Sequence, residues 1–200
     1  MSLSAKRIFD VTASGIGLVL LSPLFIILAI WIKIDSKGPV FYRQTRVGRN
    51  NRDFKLFKFR SMRPNADRGS LITIGERDPR VTRSGYFIRK YKLDELPQLI
   101  NVFCGDMSLV GPRPEVRKYV DMYTPEQMRV LSVRPGITSL ASIRYRNENA
   151  ILAASDDPLR TYVEVVMPDK LKIDLEYVDN ANLWNDIRLI FNTLREVITK

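Results

Sequence analysis

Between Val11 and Ile32 the chain carries no charged residue, and Pro23, preceded by Ser22, stands at the middle of the run. These 22 residues, wound as a helix rising about 1.5 Å per residue, are long enough to cross a hydrocarbon core of roughly 30 Å. Proline has no N–H, and its ring clashes with the carbonyl four residues back, here that of Val19. An acceptor is therefore released at a depth that water does not reach. Ser22 can return a hydroxyl to a carbonyl three or four residues earlier, which makes a sharp bend tolerable. Three readings stand: a re-entrant helix-break-helix that enters and leaves by one face, a kinked spanning helix, and a buried soluble helix. Flanking charge favours the first. Lys6 and Arg7 precede the run, while Lys33, Lys37, Arg43, Arg46, Arg49 and Arg52 follow it, so both ends carry the basic signature of the cytoplasmic side. A cleavable signal peptide does not fit, since the stretch exceeds an h-region, lacks an Ala-x-Ala site and runs directly into Lys33 and Lys37.

The length, 200 residues without an internal repeat, suits one domain over 1–200, with 1–36 as its membrane-inserted part. A formal net charge of +10 calls for a polyanionic partner, whether nucleic acid, an anionic leaflet or a phosphorylated substrate. The single cysteine, Cys104, excludes an internal disulfide and a thiolate zinc cluster. Histidine is absent, which removes the commonest general base and metal ligand and every Ser-His or Cys-His pairing. Any chemistry falls to carboxylates, tyrosines, lysines or a metal.

Downstream, "GPVFYRQTRVGRNNRDFKLFKFRSM" alternates apolar and polar residues on both sides of a turn-rich "GRNN". This pattern predicts a β-hairpin pairing 39–46 with 53–60, with Arg43, Lys55, Lys58 and Arg60 on a basic face. Residues 63–85, polar and punctuated by Gly and Pro, read as a long loop, either a lid or disordered. Helical spacing returns in "DELPQLINVFC" through Leu96, Leu99, Ile100 and Phe103. There Pro97 belongs early in the helix, Asp94 at its N-cap and Gly105 at its stop. "TPEQ" at 124–127 is a capping box on Thr124 and Gln127, ended by "RPG" at 134–136. Helical spacing runs from Pro158 to Val166, breaks at Pro168 and resumes through Leu171, Leu175 and Val178. A last stripe holds Leu183, Trp184, Ile187, Ile190, Phe191, Leu194 and Ile198, and suits either a core helix or an amphipathic helix in the membrane interface. The fold class expected is mainly α with a small antiparallel β-hairpin (α+β).

Asp94 and Glu95, adjacent on a helix, diverge by about 100° and cannot face each other as an acid and base pair. They can divide labour: one carboxylate attacks phosphorus while the other holds a magnesium ion bridging phosphate oxygens. An Asp cap followed by a first-turn Glu is also an ordinary helix start. "GDMSLVGPRPE" and "VRPGIT" present Arg113 and Arg134 beside prolines, and such stiffened loops lose little freedom on clamping a phosphate.

From "KRIFD" and the Ser-Pro break, through "FYRQTRVG", "FKLFKFRSM" and "DPRVTRSG", to "LDELPQLINVFCGDMSLVGPRP", "VRPGIT" and "DLEYV", the chain resembles the bacterial sugar transferases. These are also called monotopic phosphoglycosyl transferases, and the resemblance is to their small, core-only form. It implies transfer of a sugar 1-phosphate from a nucleotide diphosphosugar, taken as a UDP-sugar, to polyprenyl phosphate with release of UMP, at the cytoplasmic face of the bacterial inner membrane. It implies a re-entrant helix bent at Ser22 and Pro23, a phosphosugar carried on Asp94, and magnesium (Mg2+) associated with Glu95. By the same resemblance Lys58, Arg89, Arg113 and Arg134 contact phosphate, and Asp174 fills a late acidic position of open role. Where many members follow Gly-Ile-Thr with Gly-Trp-Ala, this chain has Ser139 and Leu140, which bears on sugar recognition. The partners implied are a nucleotide sugar, polyprenyl phosphate and the lipid bilayer, with no nucleic acid. The oligomeric state is left open, a homodimer included. The rivals from other classes are a membrane-tethered nucleic-acid binder using the basic surface and a scaffold in which Asp94 is only a cap.

Overall fold

The computed structural model describes residues 3–64, 66 and 78–198. Helix α1, Leu3–Asp35, runs through Pro23 without interruption, so the break expected there is absent as a gap in the helix. The physical reason is local repair: the Ser22 hydroxyl donates to the Val19 carbonyl at 2.8 Å, the acceptor that Pro23 leaves open. One face of α1 is apolar and exposed, with Ile8, Ile16, Val19, Leu20, Ile26, Ile27, Ile30 and Ile34 all outward. The opposite face packs on the protein along both halves. Gly15 and Gly17 admit the side chains of Phe103 and Leu99 so closely that a Cβ would stand 3.3 Å from each. Leu28 and Ile32 form a core with Phe59 and Ile88.

Strands β1 (Phe41–Val47) and β2 (Asp53–Phe59) form the expected antiparallel hairpin, in a register that sets Phe41 against Phe59 and Val47 against Asp53. The turn places Asn50 and Asn51 at φ 57° and 60°, the left-handed region that asparagine tolerates better than most residues. One member of the expected basic face is corrected. Arg60 is only 5% exposed, and its guanidinium donates to the carbonyls of Ile32 (3.3 Å), Ser36 (2.7 Å) and Lys37 (2.6 Å). It satisfies the orphan carbonyls at the end of α1.

Of the loop expected over 63–85, residue 65 and residues 67–77 lie outside the described residues, and with them the question of a lid. Met62 bridges Val81, and helix α2 (Arg83–Lys90) already begins inside the range, because the Thr82 side chain caps it by accepting from the Gly85 N–H at 3.0 Å. Helix α3 (Gln98–Cys104) ends at Gly105, φ 102°, as expected. Its Asn101 holds the hairpin by accepting from Phe57 N (2.9 Å) and donating to Lys55 O (2.8 Å).

Strands β3 (Ser108–Val110) and β4 (Gly136–Thr138) pair in parallel, and α4 (Arg117–Val120) lies between them in the chain. Thr124 and Gln127 form their reciprocal box, although a 3-10 helix, Gln127–Ser132, follows it. Helices α5 (Leu140–Arg144), α6 (Glu148–Ala153) and α7 (Pro158–Thr161) lead to α8 (Met167–Asn180). Pro168 breaks nothing: a π turn over Tyr162–Val166 joins α7 to α8, with the Met167 N–H bonded five residues back to the Tyr162 carbonyl, and this wider winding makes room for the proline that follows. Tyr119, Leu152, Tyr162, Val166 and Leu171 make the core of this half. In α9 (Leu183–Ile198) Asp186 is buried while Trp184, 76% exposed, Phe191 and Leu194 face outward.

Candidate active site

A cleft of about 1540 Å³ opens between the hairpin, α2, the turn before α3, the loop Gly111–Glu115 and helices α5, α6 and α8. Lys92, at φ 56°, turns the chain out of α2 into a 3-10 turn, Leu93–Glu95. Asp94 is therefore not the N-cap of α3, a position held by Pro97: a proline two residues before Leu99 fixes the helix start later than the cap pattern suggests. The turn presents both carboxylates to the cleft.

Their surroundings differ sharply. Glu95 Oε1 accepts from Lys58 Nζ at 3.1 Å and from Arg113 Nη2, and its Oε2 accepts from Arg113 Nη1 at 3.1 Å. Burial pushes its carboxyl up, but Arg113 and Lys58 outweigh burial and hold it well below the usual carboxylate range. Arg113 is in turn held charged by Glu95, and burial lowers the Lys58 ammonium while Glu95 acts against it. Asp94 is 8% exposed, and among the described residues nothing donates to it. Burial raises its carboxyl, the neighbouring Glu95 adds to the rise, and Lys58, Arg89 and Lys92 pull it back. One carboxylate is thus spent on organising cations; the other is unengaged.

The Arg113 loop is fastened on both sides. Gly111 and Gly136 approach so closely that a Cβ on Gly136 would stand 2.1 Å from the Gly111 nitrogen. The Pro112 carbonyl accepts from Gly136 N at 2.9 Å. Beyond the arginine, Arg46 donates to Pro114 O (3.1 Å) and Glu115 (3.0 Å), and the Tyr162 hydroxyl donates to the other oxygen of Glu115. Before it, Lys6 Nζ and the Tyr177 hydroxyl both donate to Val110 O, at 3.1 Å and 3.2 Å, and both reach the buried Asp186.

The profile of the family described as "Bacterial sugar transferase" matches residues 1–200. The chain belongs to the bacterial sugar transferase family. It is 42% identical over 97% of its length to the UDP-N-acetylgalactosamine-undecaprenyl-phosphate N-acetylgalactosaminephosphotransferase of Aeromonas hydrophila, spanning 44% of that protein. It is 36% identical over 97% of its length to the UDP-glucose:undecaprenyl-phosphate glucose-1-phosphate transferase of Caulobacter vibrioides, spanning 70%. To the exopolysaccharide production protein PSS of Rhizobium leguminosarum bv. phaseoli it is 37% identical over its whole length and 98% of that protein. The chain thus spans less than half the length of the Aeromonas relative.

Of the residues assigned in this bacterial sugar transferase from its sequence, Lys58, Arg89, Asp94, Glu95, Arg113 and Asp174 line one cleft. Arg134 does not: its Nε donates to Gly105 O at 2.9 Å, away from the cleft. Ser22 and Pro23 lie on the exposed side of α1. The supporting roles of Arg46, Glu115, Tyr162, Lys6, Tyr177 and Asp186 were not found from the sequence, although Lys6, Arg46, Glu115 and Tyr177 lie inside the runs "KRIFD", "FYRQTRVG", "GPRPE" and "DLEYV".

Among the described residues no three carboxylates or thiols gather as a metal cage. An ion such as Mg2+ shared with substrate phosphates needs only one or two protein carboxylates; Asp94 offers free oxygens to the cleft, and Glu95 would hold such an ion by turning toward it an oxygen that Lys58 and Arg113 now occupy.

Asp174, on α8, is buried with its Oδ1 unpartnered. Burial raises it from the ordinary 3.8 to about 7, while Lys170, the Ser139 hydroxyl and the Arg113 backbone amide act the other way. The folded chain therefore keeps a proton that the unfolded chain has released, so this contribution to stability is full in acid and falls as pH rises toward about 7. The unfolding midpoint is expected to drop between about pH 4 and about pH 7 and to level off above, and Asp174→Asn is expected to flatten that part of the curve; thermal unfolding followed across this range checks it.

Proposed function

We propose that the protein transfers a sugar 1-phosphate from a UDP-sugar to undecaprenyl phosphate through a phosphosugar carried on Asp94. The observation that carries this reading is the pairing of an unengaged, buried carboxylate with a neighbour whose oxygens are held by Lys58 and Arg113. An Asp94 carboxylate oxygen attacks the sugar-bearing phosphorus, the bond from that phosphorus to the bridging oxygen breaks, and UMP leaves with the electron pair. A phosphate oxygen of the polyprenyl acceptor then attacks the same phosphorus, the bond to Asp94 breaks, and the carboxylate is regenerated. Lys58, Arg89 and Arg113 neutralise the phosphate oxygens in both steps, and Glu95 fixes two of those cations in place. Mg2+ held by Glu95 and the substrate phosphates would supply further charge stabilisation. Such a transfer opens the assembly of a lipid-linked glycan at the cytoplasmic face of the inner membrane.

Mixing the purified protein with undecaprenyl phosphate, Mg2+ and either UDP-glucose or UDP-N-acetylgalactosamine, the two donors named by the relatives, is expected to release UMP with at least one of them. Chelation of the metal is expected to stop it. No UMP from a panel of UDP-sugars would overturn the reading.

The same proposal has α1 entering and leaving the bilayer by one face. Both halves of the helix pack on the body that holds the cleft, the first against Leu99 and Phe103 and the second against Phe59 and Ile88. A straight span would carry one half out of reach of that body. In an otherwise cysteine-free Cys104→Ser background, Ala5→Cys is expected to react with an impermeant thiol reagent only from the cytoplasmic side. Labelling of intact cells from the outside would overturn the re-entrant path.

A further inference from the structure

Arg134, marked by the sequence as a phosphate contact, stands outside the cleft, and so do Arg7 and Arg49. All three are anchored to backbone carbonyls. Arg7 donates to Val102 O at 2.6 Å and Phe103 O at 2.9 Å, Arg134 to Gly105 O at 2.9 Å, and Arg49 to Ser132 O at 3.1 Å. Elsewhere arginines are matched with carboxylates, as in Arg46 with Glu115, Arg117 with Asp53 and Arg129 with Asp179. Among the described residues none of these three makes an ion pair, and the Nη groups of Arg49 and Arg134 have no partner. Arg7 and Arg134 meet at Gly105, where a Cβ would stand 3.3 Å from Arg7 Nη2 and whose carbonyl Arg134 holds, and Arg49 reaches the backbone two residues before Arg134; the carboxylate nearest in effect, Asp10, accepts from the Leu109 N–H at 3.1 Å.

Guanidinium groups oriented by the backbone, gathered with no carboxylate in salt-bridge contact among the described residues and left with free N–H donors match a phosphate, which takes such donors in pairs. The location selects the source. Arg7 precedes the exposed Ile8 at the start of α1, and Phe103, whose carbonyl Arg7 holds, is half exposed and covers Gly15 of the same helix. The cluster therefore lies where the apolar outer face of α1 begins, the level at which lipid phosphates sit. We infer that Arg7, Arg49 and Arg134 form a seat for the phosphate of an anionic phospholipid, separate from the cleft. The inference rests on membrane insertion of α1 and not on the transfer reaction.

The full chain, purified in detergent, is loaded with phosphatidylglycerol or phosphatidylcholine, and the lipid retained is read by native mass spectrometry. Wild type is expected to retain phosphatidylglycerol preferentially. Arg49→Gln is expected to retain about fivefold less and Arg7→Gln/Arg49→Gln about 25-fold less, since each basic residue at an anionic surface contributes roughly a factor of five. Arg49→Gln leaves the carbonyls of α3 capped, so it keeps the test valid if the double variant unfolds. Equal retention of the two lipids, or unchanged phosphatidylglycerol in a folded Arg49→Gln protein, would overturn the inference. Displacement of the lipid by millimolar inorganic phosphate would instead assign the site to free phosphate and also overturn it. UMP release is measured separately, so a failure of the transfer reaction leaves this outcome readable.

Discussion

Asp94→Asn is expected to lower UMP release by about 10³-fold or more, the scale of losing a covalent nucleophile, while leaving the protein as stable as before. The second half of the expectation follows from the geometry. Nothing among the described residues donates to the Asp94 carboxylate, and burial penalises its charge. A neutral amide of the same shape therefore forfeits no bond and relieves a desolvation cost. Loss of activity with an unchanged unfolding midpoint separates a reacting group from a structural cap, which would show the opposite pattern. Incubation with a donor labelled in the sugar-bearing phosphate should leave label on the wild-type chain and none on the variant. Turnover surviving in Asp94→Asn would remove the assigned nucleophile.

Arg113→Ala is expected to cost about 10²- to 10³-fold in kcat/KM for the UDP-sugar, the range seen when a charge-stabilising donor is removed from an enclosed site. Two effects combine. The phosphate loses a planar pair of donors, and Glu95 loses the charge that outweighs its burial, leaving Lys58 as its cationic partner. Arg113→Lys should recover little, because an ammonium cannot reproduce the fork that spans both oxygens of Glu95. Full activity in Arg113→Lys would show that charge alone matters and would discard the role given to the fork. Kinetics with saturating acceptor and varied donor distinguish these outcomes.

The parts legible from the sequence were those with local causes. Alternation around "GRNN" located the hairpin, Thr124 and Gln127 located their reciprocal box, and the Gly105 stop followed from its left-handed backbone. The run holding Asp94, Glu95 and Arg113 was recognisable as a unit, and the fold does bring these groups to one cleft. What failed had causes distant in the chain. Strand alternation gave Arg60 a face but could not reveal that the end of β2 meets the end of α1. The rule that proline stops a helix assumes α geometry, which the π turn before Pro168 sidesteps. Three-residue strands such as β3 and β4 are too short for any period to show. Arg134 shares the proline-flanked setting of Arg113, yet its direction is set by Gly105, a partner 29 positions away.

The knot of Lys6, Asp186, Tyr177 and the Val110 carbonyl bears on how such a protein can be handled. Trimming off the first 35 residues would look like a convenient way to a water-soluble fragment. It would instead strand Asp186 in the interior without its ammonium and slacken the strand that delivers Arg113. The greasy segment is a girder of the half that holds the cleft, and preparations meant to keep that cleft intact have to carry it along in a lipid-like solvent.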